Sequence, residues 1–142
     1  MPSTECLPVP VERPARIVVA EDDFEMRRLV ADCLRREGYE VHEVRDGAEL
    51  LLRIEDSFFL RPTPITVDLF VTDNRMPIYT GLEIVCGLRE AGMQMPVVIM
   101  TAFGNAETRQ RAEQLGAALL DKPFKMEALR ALVRRLLNKS SN

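Results

Sequence analysis

The stretch PVVIMTA, residues 96–102, is nearly all apolar, strand-sized, and bounded by a proline. A run of that kind is what a strand covered on both faces looks like, and such strands belong to parallel sheets sandwiched between helices. The flanking sequence agrees. RIVVA (16–20) is another short β-rich run, followed over 24–37 by Met26, Leu29, Val30, Cys33 and Leu34 at helical spacing, with Gly38 as the stop. YEVHEV (39–44) is β-prone but half polar, as an edge strand should be. Residues 47–60 put Leu50, Leu51, Ile54 and Phe58 on one helical face ahead of Pro62 and Pro64. VDLFVT (67–72) is the third strand, a helix over 80–92 ends at Gly92, and PVVIMTA is the fourth strand. A helix over 105–116, a short strand over 117–121 and a helix over 125–138 that buries Leu129, Leu132, Val133, Leu136 and Leu137 complete the pattern. Five strands alternating with five helices make an α/β fold, a doubly wound parallel sheet with helices on both faces.

The remaining composition narrows the class. A chain of 142 residues, 46% hydrophobic, is enough for one full core and one domain. Residues 1–14 carry four prolines and no periodic face and read as an extended arm, leaving a domain over 15–138 and a tail over 139–142. The formal charge of −3 is spread along the chain, which argues against direct nucleic-acid binding. Cys6, Cys33 and Cys86 lack the spacings of a disulfide framework or a zinc site and read as reduced thiols. With no membrane-length apolar run and no secretion signal, the expected compartment is the cytoplasm.

In an open α/β sheet, ligands bind beyond the carboxyl ends of the strands. Here those ends carry Glu21, Asp22 and Asp23 (first strand), Asp73 (third), Thr101 (fourth), and Asp121, Lys122 and Pro123 (fifth). Like charges gathered there repel unless something positive lies between them. A hard divalent cation such as Mg²⁺, held by one or two carboxylates and phosphate oxygens, meets that need. It would also stabilise a phosphoryl group on Asp73, with Thr101 donating to one phosphoryl oxygen and Lys122 pairing with another.

The blocks VVAEDDFEMRRLV, DLFVTDNRMPIYTGLEIV, VVIMTAF and LLDKPF, with spacings of 28 residues from Asp73 to Thr101 and 21 from Thr101 to Lys122, resemble two-component response-regulator receiver domains of the chemotaxis-regulator-like superfamily. The resemblance covers about residues 15 to 138. It implies a flavodoxin-like sheet of order 2-1-3-4-5. It further implies that Glu21 and Asp22 hold Mg²⁺ (or Mn²⁺), Asp22 the more directly and Glu21 through water, with Asp73 and the backbone carbonyl of Arg75 completing the metal's protein ligands. Asp73 would be the phosphoacceptor, Thr101 the switch hydroxyl and Lys122 the phosphoryl-binding cation, with Pro123 after a cis peptide bond. The phosphoryl donor would be a phosphohistidine on a sensor kinase or phosphotransfer protein. The product signal would be a shift of the face formed by the fourth helix, fifth strand and last helix towards an output protein. Such a chain is a signalling phosphoprotein that catalyses only its own phosphorylation and dephosphorylation, with no direct membrane or nucleic-acid partner. A phosphorylation-dependent homodimer is compatible with it. With only NKSSN after residue 137, the expectation is a stand-alone receiver, although a domain excised from a longer regulator would look the same.

Two departures stand out. Receivers usually place Tyr or Phe three residues before the lysine, where this chain has Leu119, so the expected output is movement of helix 105–116 without a ring flip. That helix has few apolar anchors, which are Ala106, Ala112 and Leu115. Arg75 and Phe103 are bulky at positions that flank the attacking water in the family, so slow loss of the phosphoryl group is expected.

Simpler roles exist for each residue alone. Asp22 or Asp23 could cap the first helix, and capping is the better reading for Asp23. Asp73 could form a turn before Met76-Pro77, and Thr101 and Lys122 could be ordinary strand and surface residues. His42, the sole histidine, reads as solvated, which removes support for a histidine-based triad or an internal phosphohistidine relay. Met76, Met93, Met95 and Met100 read as packing residues. Arg130, Arg134, Arg135 and Lys139 read as a solvated basic stripe, with partner docking as the alternative. Two other functions compete. One is a phosphorylation-independent docking receiver. The other is a Mg²⁺-dependent aspartyl phosphatase of the haloacid dehalogenase kind, which needs an acid where this chain has Arg75.

Overall fold

A computed structural model of the chain describes residues 13–50, 67–102 and 104–140. The expected face of Leu51, Ile54 and Phe58, the position of Phe103, residues 1–12 of the expected arm and the last two residues lie outside the described residues.

The five strands are β1 (Arg16–Ala20), β2 (Glu40–Val44), β3 (Leu69–Asp73), β4 (Val97–Thr101) and β5 (Ala118–Asp121), all paired in parallel in the order β2-β1-β3-β4-β5. The helices are α1 (Phe24–Arg36), α2, described over 47–50, α3 (Gly81–Glu90), α4 (Ala106–Gln114) and α5 (Met126–Ser140). Two-residue alternation along β1 decides the layers. Ile17 and Val19 join Val30, Ala31, Leu34, Leu129 and Val133 from α1 and α5 on one side. Val18 and Ala20 join Leu50, Ile84, Val85, Leu88 and Ala112 from α2, α3 and α4 on the other. β3 and β4 are buried along their whole length, as their apolar runs anticipate, and β2 is an edge strand.

The helix starts are chemically specified. Asp23 Oδ1 accepts from Met26 N at 3.1 Å, as a cap should. Thr80 and Glu83 form a reciprocal capping box on α3, and Asn105 caps α4. α1 and α3 run out into Gly38 and Gly92, both left-handed. The last helix continues two residues past the expected boundary at 138, so the expected tail begins inside α5. Of the residues expected to be buried there, Leu129 and Val133 are fully so, and Leu132, Leu136 and Leu137 pack half-buried against the core. Arg13, at the end of the expected arm, pairs with Asp68 at 2.9 Å.

α1 corrects one expectation. Leu29 is 55% exposed, while Arg27, which is not part of the expected apolar set, is buried. The inward face is Arg27, Val30, Ala31 and Leu34 at i, i+3, i+4 and i+7, so a guanidinium occupies a place on the stripe where a hydrophobic residue would ordinarily stand.

Arg89, near the end of α3, ties α3 to the end of α4 and to the segment entering β4. Its Nε donates to Leu115 O at 2.8 Å and its Nη1 to Met93 O and Met95 O at 2.9 and 2.8 Å. These carbonyls come from the end of α4 and from the segment entering β4. Burial pulls the Arg89 pKa down, so its hydrogen bonds are made by a partly desolvated charge. Among the described residues no helix is long and apolar enough to cross a membrane. Replacing Arg89 with Met is expected to cost about 2–3 kcal/mol, because the carbonyls keep their burial and lose their donor. Urea unfolding of the two proteins measures it, and a loss under about 0.5 kcal/mol would count against the clamp.

Candidate functional site

The acid-bearing strand ends converge because parallel strands finish on the same edge. β1 stops at Ala20, but Glu21 N still donates to Val44 O at 3.1 Å, so Glu21 prolongs the ladder by one bond and points its carboxylate to the centre of that edge. Asp22 follows before the capping Asp23. Asp73 is the last residue of β3, and Asn74 N donates to Met100 O at 2.9 Å, extending that strand's pairing as well. Thr101 closes β4 in register with Asp121, and Lys122 N donates to Thr101 O at 2.8 Å. Lys122 thereby enters the edge from the β5 side, and the Lys122–Pro123 peptide is cis.

Glu21, Asp73 and Thr101 are all buried, at 1%, 5% and 4% exposure, whereas Asp22 is exposed. The Lys122 ammonium lies between two of the acids, 2.9 Å from Asp73 Oδ1 and 3.2 Å from Glu21 Oε1. Glu21, Asp22 and Asp73 each present a carboxylate oxygen within 4.8 Å of the others. Three carboxylates at that spacing are a donor set suited to a hard divalent cation such as Mg²⁺ or Mn²⁺.

The electrostatics are those of a site short of positive charge. Burial, with the charge of Asp73 added, pushes the Glu21 carboxyl up to about 7 even though Lys122 pulls the other way. Burial alone would lower the Lys122 pKa, but its hydrogen bond and charge interaction with Asp73, and then with Glu21, raise it, so the ammonium stays protonated. One lysine does not neutralise the cluster.

The loop after Asp73 is bound tightly to α3. Asn74 takes Gly81 N on its carbonyl at 3.0 Å and Leu82 N on its side-chain oxygen at 3.2 Å. A Cβ on Gly81 would lie 2.8 Å from the Asp73 carbonyl oxygen, so only glycine lets the helix start this close to the acid. Between them, Ile78 is 68% exposed and holds a left-handed backbone at φ 76°, a costly conformation for a β-branched residue. Arg75 is exposed on the same loop.

Away from the pocket, Leu119 is half-buried against the α2–α4 side of the core. His42, on the β2 edge, meets Glu40 at 3.2 Å, and Cys33 and Cys86 are free thiols. Met100 is in the core layer beneath α1 and α5, and Met76, Met93 and Met95 pack against the layer on the opposite side of the sheet. Of the basic stripe on α5, Arg134 pairs with Glu37 at 2.7 Å and Arg130 donates to Cys33 Sγ at 3.5 Å. Sequence reasoning overlooked Arg27 and Gly81. Neither left a usable signal: the partners that shelter Arg27 are Glu43 and the Glu21 carbonyl on other elements, and the closeness of Gly81 to Asp73 leaves no trace in the sequence.

Comparison with known proteins agrees with this arrangement. The sequence model of the response regulator receiver domain matches residues 17–134. The response regulator MprA of Mycobacterium sp. (strain KMS) is 34% identical over 129 residues, which is 90% of this chain and 53% of the relative. The MprA of Mycobacterium avium (strain 104) is 35% identical over 88% of this chain and 52% of its own. This chain therefore spans about half the length of the curated relatives it matches. Among solved structures, the Vibrio cholerae chemotaxis protein CheY4 superposes with a TM-score of 0.75 at 28% identity, covering 87% of this chain and 98% of that one. NtrX from Brucella abortus gives 0.76 at 29% identity over 89% of this chain and 28% of its own.

With Glu21 held up to about 7 against an ordinary value of 4.5, the folded metal-free chain keeps a proton that the unfolded chain has lost. This group therefore lowers stability as pH rises from about 4.5 to about 7. Between about pH 5 and about pH 8, metal-free wild type is expected to lose up to about 3 kcal/mol relative to Glu21→Gln. Parallel urea-unfolding pH profiles for the two proteins would contradict it.

Proposed function

This chain belongs to the response regulator receiver domain family, and within it we propose that Asp73 accepts a phosphoryl group from a phosphohistidine on a sensor kinase or phosphotransfer protein. The observation that carries the reading is the Lys122 ammonium set between the buried Asp73 and Glu21 carboxylates, with Asp22 at the pocket's rim. In the transfer, an Asp73 carboxylate oxygen forms the new O–P bond as the N–P bond breaks, and the imidazole leaves with that electron pair. The Lys122 ammonium, 2.9 Å from Asp73 Oδ1, holds the nucleophile in place and offers positive charge to the arriving phosphoryl oxygens.

Glu21, Asp22 and Asp73, together with the Arg75 carbonyl, would hold Mg²⁺ or Mn²⁺. A bound ion there supplies the positive charge that offsets the phosphoryl oxygens. Lys122 turns its N–H groups towards the incoming group, a charge-assisted contact that strengthens as the phosphoryl settles. Thr101, at the end of the adjacent strand, supplies a hydroxyl to another phosphoryl oxygen. The 4–5% exposure of Asp73 and Thr101 limits water's approach to the acyl-phosphate.

Output in this reading passes from Thr101 to α4, β5 and α5. Leu119 has no aromatic ring to turn inward, and α4 buries only Ala112 among its own residues, so this helix is the part most easily displaced. The domain is proposed to begin near residue 15, and the cytoplasm is the proposed setting. A separate output protein or a fused output domain would each suit this face.

Incubation with acetyl phosphate and Mg²⁺, followed by intact-mass measurement, is expected to show one added phosphoryl group, lost in Asp73→Asn and reduced at least ten-fold in Lys122→Met. Steady release of phosphate without an adduct would favour an aspartyl phosphatase. No reaction at all would favour a receiver that docks without phosphorylation.

A further inference from the structure

Arg27 is a buried cation with no part in the chemistry above. At 8% exposure its guanidinium would cost several kcal/mol unless its donors were satisfied. Nη1 donates to the backbone carbonyl of Glu21 at 2.9 Å in a buried contact, Nε faces Glu43 Oε1 at 3.4 Å, and the guanidinium carbon lies 5.3 Å from the centre of the Phe24 ring. Glu43 is in turn held by Arg28 and Arg35, each at 2.9 Å from its other oxygen. Burial would raise the Glu43 pKa, but the hydrogen bonds and charges of Arg35 and Arg28 bring it below its ordinary value.

The consequence falls on the acid pair. Glu21 has its N–H bonded to Val44 O and its carbonyl bonded to Arg27, so both of its backbone groups are fixed. Asp23 is fixed from the other side, its side chain accepting from Met26 N and its carbonyl accepting from Arg27 N at 2.9 Å. Asp22 stands between these two pinned residues, exposed and outside any strand or helix, so its direction is inherited from its neighbours.

We propose that Arg27 is a positioning residue for the divalent-cation pocket: by holding the Glu21 carbonyl it sets the direction in which Asp22 presents its carboxylate, and Glu43 holds Arg27 in place. The inference rests on the pocket's taking a hard divalent cation, as argued above. A lysine cannot reproduce it, because a single ammonium lacks the planar fork that spans a carbonyl and a carboxylate at once.

Mn²⁺ titrations of the full chain, followed by electron paramagnetic resonance of free ion, test it. Arg27→Met is expected to weaken Mn²⁺ binding about ten-fold, with Arg27→Lys and Glu43→Gln at about three-fold, as for outer residues that orient metal ligands. In acetyl-phosphate labelling, Arg27→Met is expected to raise the Mn²⁺ concentration for half-maximal reaction more than it lowers the rate at saturating Mn²⁺. A purely structural role would instead lower the reactive fraction at every metal concentration. Faster amide exchange at Asp22 and Asp23 in the metal-free variant would support the positioning role. Equal Mn²⁺ affinity in wild type and folded Arg27→Met overturns the inference, and labelling of Asp73 in both leaves the phosphoacceptor reading standing. Should Arg27→Met fail to fold, unchanged affinity in Glu43→Gln overturns it equally.

Discussion

A single ammonium shared by two buried carboxylates is the interaction on which the rest of this molecule depends. Lys122 reaches Glu21 and Asp73 from the end of β5, three places from β1 in the sheet and beyond β4, so the contact exists only if all the intervening strands are in register. The fold supplies that register through two fully buried strands, β3 and β4, whose apolar side chains contribute about 1.5–3 kcal/mol each when large. That apolar stability is what allows an edge carrying an excess of negative charge to persist. Glu21 records the strain as a carboxyl reluctant to ionise, and a cation of higher charge is the natural remedy.

Much of this was legible in the sequence, for a physical reason. Strands covered on both sides read as nearly continuous apolar runs, so PVVIMTA and VDLFVT announce their own layer, and ligand groups in such sheets collect at strand ends, so Asp73, Thr101 and Lys122 could be grouped from the sequence. The resemblance to receivers added the sheet order, and the structure shows that order. Elsewhere the pattern misled. On α1 the apolar residues suggested a stripe through Leu29, but Leu29 faces solvent and Arg27 turns inward. Hydropathy cannot report that a guanidinium will be sheltered, because the partners that make burial tolerable are Glu43 on a different element and the carbonyl of Glu21.

Backbone partners are the least visible of all. Arg89 serves carbonyls of Met93, Met95 and Leu115, and a carbonyl is present at every position whatever the side chain. Ile78 runs against local preference altogether, since a β-branched residue is a poor choice for a left-handed turn and nothing in its neighbours forecasts one. It sits in the short loop between Asp73 and the capping box of α3, where Gly81 already brings the helix against the Asp73 carbonyl. Departures from propensity gather in this loop rather than along the strands.

The Arg89 clamp also decides how α4 is able to travel. Its carboxyl end is moored through Leu115 to α3 and the entry of β4, whereas its amino end is held by the Asn105 cap and an exposed ion pair, Arg109 to Asp121 at 2.6 Å. Exposed pairs contribute little, about 0–1 kcal/mol. In the proposed output the helix would act as a lever with its pivot at the far end and its loose end beside Thr101, so a small push from the pocket would become a swing rather than a slide.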